Sequence, residues 1–268
     1  MNERDPDGQV TTERRGAILM IGIDRPEKRN GVTPKMWSEL RDAYTLLDDD
    51  DELRAGVLFG HGDHFTAGLD LPKWREGMVG GGSDNRPDQR AGRVDPVGLT
   101  GRSCSKPVVV AVRGITFTAG IEWMLGADIV VAADDCRFSQ LEPKRGIMAT
   151  GGATVRFVER GGWGNAMYHL LVVDEFDAEE ARRCGLVQEI VPAGTEVDRA
   201  LELAAKICQL APLAIRATKA SARRYALDGQ AAAVAEFGET QNGLANSEDA
   251  AEGVQSFIER RDPVFKGR

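Results

Sequence analysis

Two glutamates sit where a carboxyl group could exchange protons near neutral pH. Glu122 lies among Ile121, Trp123, Met124 and Leu125, and Glu142 lies between Leu141 and Pro143. Apolar surroundings disfavour the charged form and raise a carboxyl pKa, which suits general acid–base work. The plainer alternative is two unrelated glutamates, one solvated and one paired with Lys144 or Arg145. Other chemistries have less to stand on. His61, His64 and His169 show no metal-ligand spacing, and Cys104, Cys136, Cys184 and Cys208 form no CxxC motif. Four free, buried or half-buried thiols in a reducing compartment are expected. Ser103 and Ser139 lack an evident histidine–aspartate pair. The glycine run at 80–82 follows no strand and no Lys-Ser/Thr closes it, so it is not read as a phosphate loop.

The elements that must position the glutamates follow from patterning. Residues 17–23 (AILMIGI) form a continuous apolar run of strand length, ended by Asp24-Arg25-Pro26. Thr33-Pro34 reads as an N-cap and first helical position, and the helix to about 49 puts Trp37, Leu40, Ala43, Tyr44 and Leu47 on one face. Strands are expected over 55–59, 107–112, 128–133, 137–140 and 187–191. Helices are expected from 121 to 127 and from 153 onward. Residues 76–94, rich in Gly, Ser, Asp, Asn and Pro, read as a mobile loop, either a passive surface insertion or a lid. Beyond 195 the chain turns Ala-rich with helical spacing over 197–210, 213–227, 231–244 and 248–261. The expected organisation is a frayed start over 1–16, an α/β core over 17–195 and a helical region over 196–268.

Composition narrows the classes. The 268 residues carry a net charge of −8, with a pI near 5.1. That balance argues against general nucleic-acid binding. The polar first fifteen residues do not read as a signal peptide, and no apolar run approaches a bilayer span of roughly 20 residues. A cytoplasmic protein is the expectation. The lack of a GxGxxG between strand and helix removes a dinucleotide-binding oxidoreductase.

A series of motifs then resembles the crotonase superfamily, the enoyl-CoA hydratase/isomerase family. Asp24-Arg25-Pro26-Glu27-Lys28-Arg29-Asn30 matches its signature after the first strand. Gly60-His61-Gly62-Asp63-His64-Phe65-Thr66-Ala67-Gly68-Leu69-Asp70-Leu71 is similar to its G-x-x-F-x-A-G-x-D-L segment. Lys106-Pro107-Val108, Gly114, Ala119-Gly120-Ile121-Glu122, Phe138-Ser139-Gln140-Leu141-Glu142, Gly151-Gly152-Ala153-Thr154, Gly185-Leu186-Val187 and the ending Arg260-Arg261-Asp262-Pro263-Val264-Phe265 follow in family order. Each piece is weak alone. Their order over 17–268 makes chance resemblance improbable.

The resemblance implies an α/β fold with a crotonase-like ββα spiral core and a helical C-terminal oligomerisation region. It implies a homotrimer or hexamer acting on acyl-CoA thioesters of fatty acid metabolism. The backbone amides of Leu69 and Ala119 would hold an enolate oxygen, and the helix beginning near Gly120 would add the positive end of its dipole. Glu122 and Glu142 would manage water and proton, which favours a hydratase over an isomerase, a hydrolase or a non-catalytic CoA-binding relative. Lys28, Arg29, Ala67, Gly68, Asp70 and Leu71 would meet the coenzyme A portion, and Lys266 and Arg268 at the C-terminus would reach the coenzyme A of a neighbouring subunit. No metal and no cofactor is implied, since coenzyme A enters with the substrate. Departures from the family pattern at Leu69, Thr118-Ala119 and Trp123 bear on the space left for the acyl group.

Overall fold

The computed structural model describes residues 5–79 and 92–268. Among the described residues a six-stranded sheet runs in the order β1-β2-β3-β4-β6-β9, and a three-stranded sheet in the order β5-β7-β8. The strands are β1 Gln9–Arg15, β2 Ile18–Asp24, β3 Ala55–Gly60, β4 Val108–Val112, β5 Ile115–Phe117, β6 Ile129–Ala133, β7 Arg137–Ser139, β8 Phe176–Asp177 and β9 Glu189–Val191. From β2 to β9 the large sheet is parallel.

Parallel strands buried on both faces need apolar residues at every position, and here the two faces divide them by parity. Leu19, Ile21 and Ile23 of β2 join Val108, Val110 and Val112 of β4 in one core. Helix α1 (Pro34–Asp49) packs into it with Met36, Leu40, Ala43, Tyr44 and Leu47. Ile18 and Met20 join Val57, Val109, Ala111 and Val131 on the other face. There α6 (Glu196–Cys208) lays Ala200 and Ala204 against the sheet. Each fully buried Ile or Leu contributes about 2 kcal/mol. The two alanines set how closely α6 approaches, so a larger side chain at Ala204 would overpack that face at a cost of about 1–3 kcal/mol.

Helix starts follow their caps. Thr33 Oγ1 accepts from the Met36 amide at 3.2 Å with Pro34 as the first helical residue. The remaining helices are α2 Leu71–Val79, α3 Ala119–Gly126, α4 Ala153–Met167, α5 Ala178–Arg183, α7 Pro212–Ala235, α8 Phe237–Ala245 and α9 Glu248–Glu259. The break expected between the helices at 213–227 and 231–244 falls at Gly229, whose φ of 83° and ψ of 175° interrupt α7. No helix among the described residues is long and apolar enough to cross a membrane.

Two expectations need correction. Residues 9–15 are not a frayed start but strand β1, antiparallel to β2 from Gln9 opposite Asp24 to Arg15 opposite Ile18. An edge strand has one paired side, so polar and charged residues are tolerated and its sequence lacks a buried strand's apolar run. The loop read from 76 is helical as far as Val79. Its centre, 80–91 with the glycine run, and residues 1–4 lie outside the described residues.

Candidate active site

Two turns are brought side by side by main-chain pairing. The Phe65 amide donates to Arg113 O at 2.8 Å, Thr66 to Ile115 O at 3.1 Å, and Phe117 to Thr66 O at 3.0 Å. The segment after β3 thus runs along β5. On its other side Leu69 forms a parallel bridge with Val32. That bridge uses the carbonyl of Gly68 and the amide of Asp70, each at 2.9 Å. A parallel bridge of this kind turns the N–H of its central residue away from the partner, so the Leu69 amide faces the opposite side. Across from it, Thr118 at φ 51° ends β5 and starts α3 at Ala119. Neither the Leu69 nor the Ala119 amide has a hydrogen-bond acceptor among the described residues.

The closeness of the two turns depends on glycine. Gly68 has a φ of 95°, and a Cβ there would lie 1.8 Å from Thr118 Oγ1. A β-branched residue at positive φ, as at Thr118, carries strain of about 1–3 kcal/mol. Such strain in a turn carrying an unpartnered amide is the pattern of a prearranged donor pair.

The two glutamates reach the same place by different routes. Glu122 sits in the first turn of α3 and is 7% exposed. Its Oε1 accepts from the amides of Gly151 at 2.6 Å and Ala153 at 3.3 Å. Burial nevertheless raises its pKa, opposed by those two amides and by the Arg156 guanidinium. Glu142 opens a 3-10 turn, Glu142–Arg145, and is 8% exposed. Its Oε2 is buried with no hydrogen-bond partner among the described residues. Burial lifts its pKa to about 7, its own main-chain amide lowers it, and the negative charge of Glu122 raises it further.

Both carboxyls open on one cavity of about 820 Å³. Of the residues expected to bind or react, Lys28, Ala67, Gly68, Leu69, Asp70, Leu71, Ala119, Glu122 and Glu142 all line it. Asp70 lines it with its carboxylate already engaged by the buried Arg25 at 2.7 Å. Two expected residues do not line it. Arg29 adopts a left-handed conformation at φ 50° and contributes its carbonyl, which accepts from the Ala67 amide at 2.9 Å. Lys266, expected at a neighbouring subunit's coenzyme A, lines a different cavity of its own chain. The Asp249 carboxylate takes the amides of Lys266 at 2.6 Å and Gly267 at 2.8 Å, which pins this tail against α9.

Trp123 does not narrow the acyl space. Successive helical residues point about 100° apart, so with Glu122 on the cavity Trp123 turns into the core. It packs 5.6 Å from Trp37 and 6.2 Å from Phe65 between ring centroids. The cavity wall near Glu142 is instead made by Arg145, Ile147, Met148 and Thr150. Sequence reasoning missed these, and it missed Arg25 and Gly151. The signal for Gly151 was its place in a Gly-Gly pair, since a Cβ there would lie 2.4 Å from Glu122 Oε2.

The histidines serve the frame. His64 Nδ1 accepts from the Ile115 amide at 3.2 Å, and His61 Nε2 lies 2.8 Å from Thr11 Oγ1. His169, Glu180 and Cys184 do converge, which their spacing did not reveal. The Glu180 carboxylate is already taken at 2.6 Å on each oxygen by Arg183. The cysteines are free, three buried and Cys208 half-buried, as expected.

The chain is similar to known proteins over nearly its whole length. The family profile described as enoyl-CoA hydratase/isomerase matches residues 13–268. The chain is 34% identical over 272 residues to enoyl-CoA hydratase EchA19 of Mycobacterium tuberculosis, covering 99% of this chain and 98% of that protein. It is 36% identical over 268 residues to carnitinyl-CoA dehydratase of Citrobacter koseri, covering 95% and 97%. The solved structure of a probable enoyl-CoA hydratase/isomerase from Mycobacterium abscessus superposes with a TM-score of 0.91 at 44% identity, covering 97% of this chain and 99% of that one. An enoyl-CoA hydratase from Mycobacterium tuberculosis H37Rv gives 0.87 at 34% identity, covering 98% and 100%.

Proposed function

The chain belongs to the enoyl-CoA hydratase/isomerase family, and from that premise we propose that it is a hydro-lyase adding water across a 2-enoyl-CoA double bond, or removing it from a 3-hydroxyacyl-CoA. The observation that carries this reading is one cavity lined by Leu69 and Ala119, whose amides have no acceptor among the described residues, and by two buried carboxyls. The thioester oxygen lies between the Leu69 and Ala119 amides. As water attacks the β-carbon, negative charge moves to that oxygen, where the amides and the N-terminal end of α3 stabilise it. Two fixed donors of this kind are worth about 3–4 kcal/mol each to the transition state.

The two glutamates divide the proton work. Glu122, anchored through Oε1 by Gly151 and Ala153, presents its second oxygen to the water and holds it over the β-carbon. Glu142, with a pKa near 7, accepts a proton from that water and returns one to the α-carbon. The enolate then collapses to the 3-hydroxyacyl thioester. Dehydration runs the same steps in reverse. The reaction needs no cofactor, with coenzyme A arriving as part of the substrate. Lys28 at the cavity edge supplies a cation toward its phosphates.

The same reading extends to assembly. Leu227, Phe237, Val254, Phe257 and Ile258 of the C-terminal helical region are exposed. Large apolar side chains exposed in this way favour burial against another copy, which supports a homotrimer or hexamer. The activity is tested by following loss of the enoyl-thioester absorbance with crotonyl-CoA and with longer and aromatic enoyl-CoAs. Turnover on any of them, abolished in Glu122→Gln, supports hydration. Tight binding of all of them without turnover removes it.

A further inference from the structure

A second cavity lies at the other end of the sheet. The catalytic cavity collects segments that follow the strands, such as 67–71 after β3 and Thr118 after β5. Leu53 and Arg54 instead lead into β3, and Lys106 and Pro107 lead into β4. These residues line a cavity of about 270 Å³, closed by the start of α7 and by residues 266–268. Because β3 and β4 are parallel, the two cavities open at opposite strand ends.

The second cavity is strongly cationic. Arg54, Lys106, Arg216, Lys266 and Arg268 line it, against the single side-chain carboxylate of Asp51. Three of these cations have protein partners. Arg54 donates to Cys208 O at 2.9 Å and Phe265 O at 2.6 Å. Lys106 Nζ donates to Asp50 O at 2.6 Å, and Arg268 pairs with Glu248 at 3.1 Å. The Arg216 guanidinium and Lys266 Nζ make no hydrogen bond or ion pair among the described residues. Lys266 only helps hold the Glu252 pKa down from a distance. Lys106 is 3% exposed, and burial first, then the Arg216 charge, push its pKa down against the charges of Asp48 and Asp51, which raise it. Two cations thus line one cavity, one of them out of water, and the hydrogen bond of the buried one goes to a neutral carbonyl. An anion bound there would relieve that repulsion and restore the lost solvation.

We propose that this cavity is a binding site for a phosphate-class dianion, either inorganic phosphate or the phosphate end of a small phosphomonoester, held by Arg216, Lys266 and Lys106. The class follows from the donors. A guanidinium offers a planar fork to two oxygens and an ammonium adds a compact charge, a combination that suits a tetrahedral dianion. Asp51 on the wall repels any anion, a dianion more than a monoanion, and the surrounding cations must outweigh it.

The test is calorimetric titration of the full chain with inorganic phosphate and, separately, with glycerol phosphate, at constant ionic strength. Wild type, Arg216→Gln, Lys266→Gln and the catalytic-cavity variant Lys28→Gln are compared. The expected result is saturable binding of at least one of the two probes. Arg216→Gln and Lys266→Gln each weaken it about tenfold or more, while Lys28→Gln leaves it intact. Inorganic phosphate alone would mark a free-ion site, and binding of both would mark an open ester position. Lys266 is exposed, so its variant reports even where Arg216→Gln fails to fold. Binding lost in Lys28→Gln but kept in the other two would put the anion in the catalytic cavity and overturn the proposal. Absence of saturable binding of either probe to wild type would overturn it as well.

Discussion

The helical wall that carries Glu122 and the short turn that carries Glu142 face one cavity, and burial raises both carboxyl pKa values, but the two are held differently. On the helical side two main-chain amides grip one oxygen, so the carboxyl is oriented. On the turn side one oxygen is buried with no partner among the described residues, and the pKa rises to about 7. The difference teaches how two chemically identical groups come to hold different posts. Donated hydrogen bonds fix direction and favour the charged form, whereas bare burial leaves a group ready to take and release a proton.

Variants can break this comparison, beginning with the largest effect. Glu142→Gln removes the proton carrier and keeps the shape, so kcat should fall by about 10²–10⁴-fold with thioester affinity little changed. The wild-type rate profile should show an ionisation near pH 7 that this variant lacks, measured as kcat/KM against pH. Gly68→Ala comes next. Its methyl group would meet the Thr118 hydroxyl, forcing the two amide-bearing turns apart, and a loss of about 10²–10³-fold in kcat is expected. A Tm measurement on the same variant separates that loss from unfolding.

Gly151→Ala probes the gripped side. The added methyl would displace Glu122 without removing it, and a loss of about 10–100-fold in kcat is expected, since small misplacements of reacting groups are costly. The smallest effect is on stability. Folded Glu142 titrates near 7 against an ordinary value of 4.5. Between these values the folded state holds the extra proton. Its contribution to stability is therefore complete below about pH 4.5 and lost as pH rises through 7. Glu142→Gln should stabilise the protein by about 1–2 kcal/mol at pH 8, allowing for solvent screening, and by much less at pH 5. Thermal melts at both pH values would check the sign.

Much of the fold was legible because its strands are buried on both faces. The run at 17–23 and the Thr33-Pro34 cap declare themselves by composition alone. Strand β1 did not, because an edge strand exposes polar side chains in Gln9-Val10-Thr11-Thr12-Glu13 and reads like a tail. The site was legible where motif spacing reflects contact. Gly68 and Thr118 touch across 50 residues, and both lie in recognisable segments. It was illegible where the tertiary path decides. Trp123 follows Glu122 in sequence yet faces away from it. Lys266 was expected at a neighbouring subunit's coenzyme A, and within its own chain Asp249 holds its backbone at the far end of the sheet. No periodicity announces that Gly151 and Ala153 close on Glu122, since that depends on where α4 begins.

The most direct test of the proposed reaction is isotopic. A 2-enoyl-CoA incubated with the enzyme in oxygen-18-enriched water should give a 3-hydroxyacyl-CoA carrying the heavy oxygen at its hydroxyl, and in deuterated water one deuterium at the α-carbon. Both labels should fall away together in Glu142→Gln. A product with a shifted double bond and no heavy oxygen, or free coenzyme A released with the label in the carboxylate, would contradict the account.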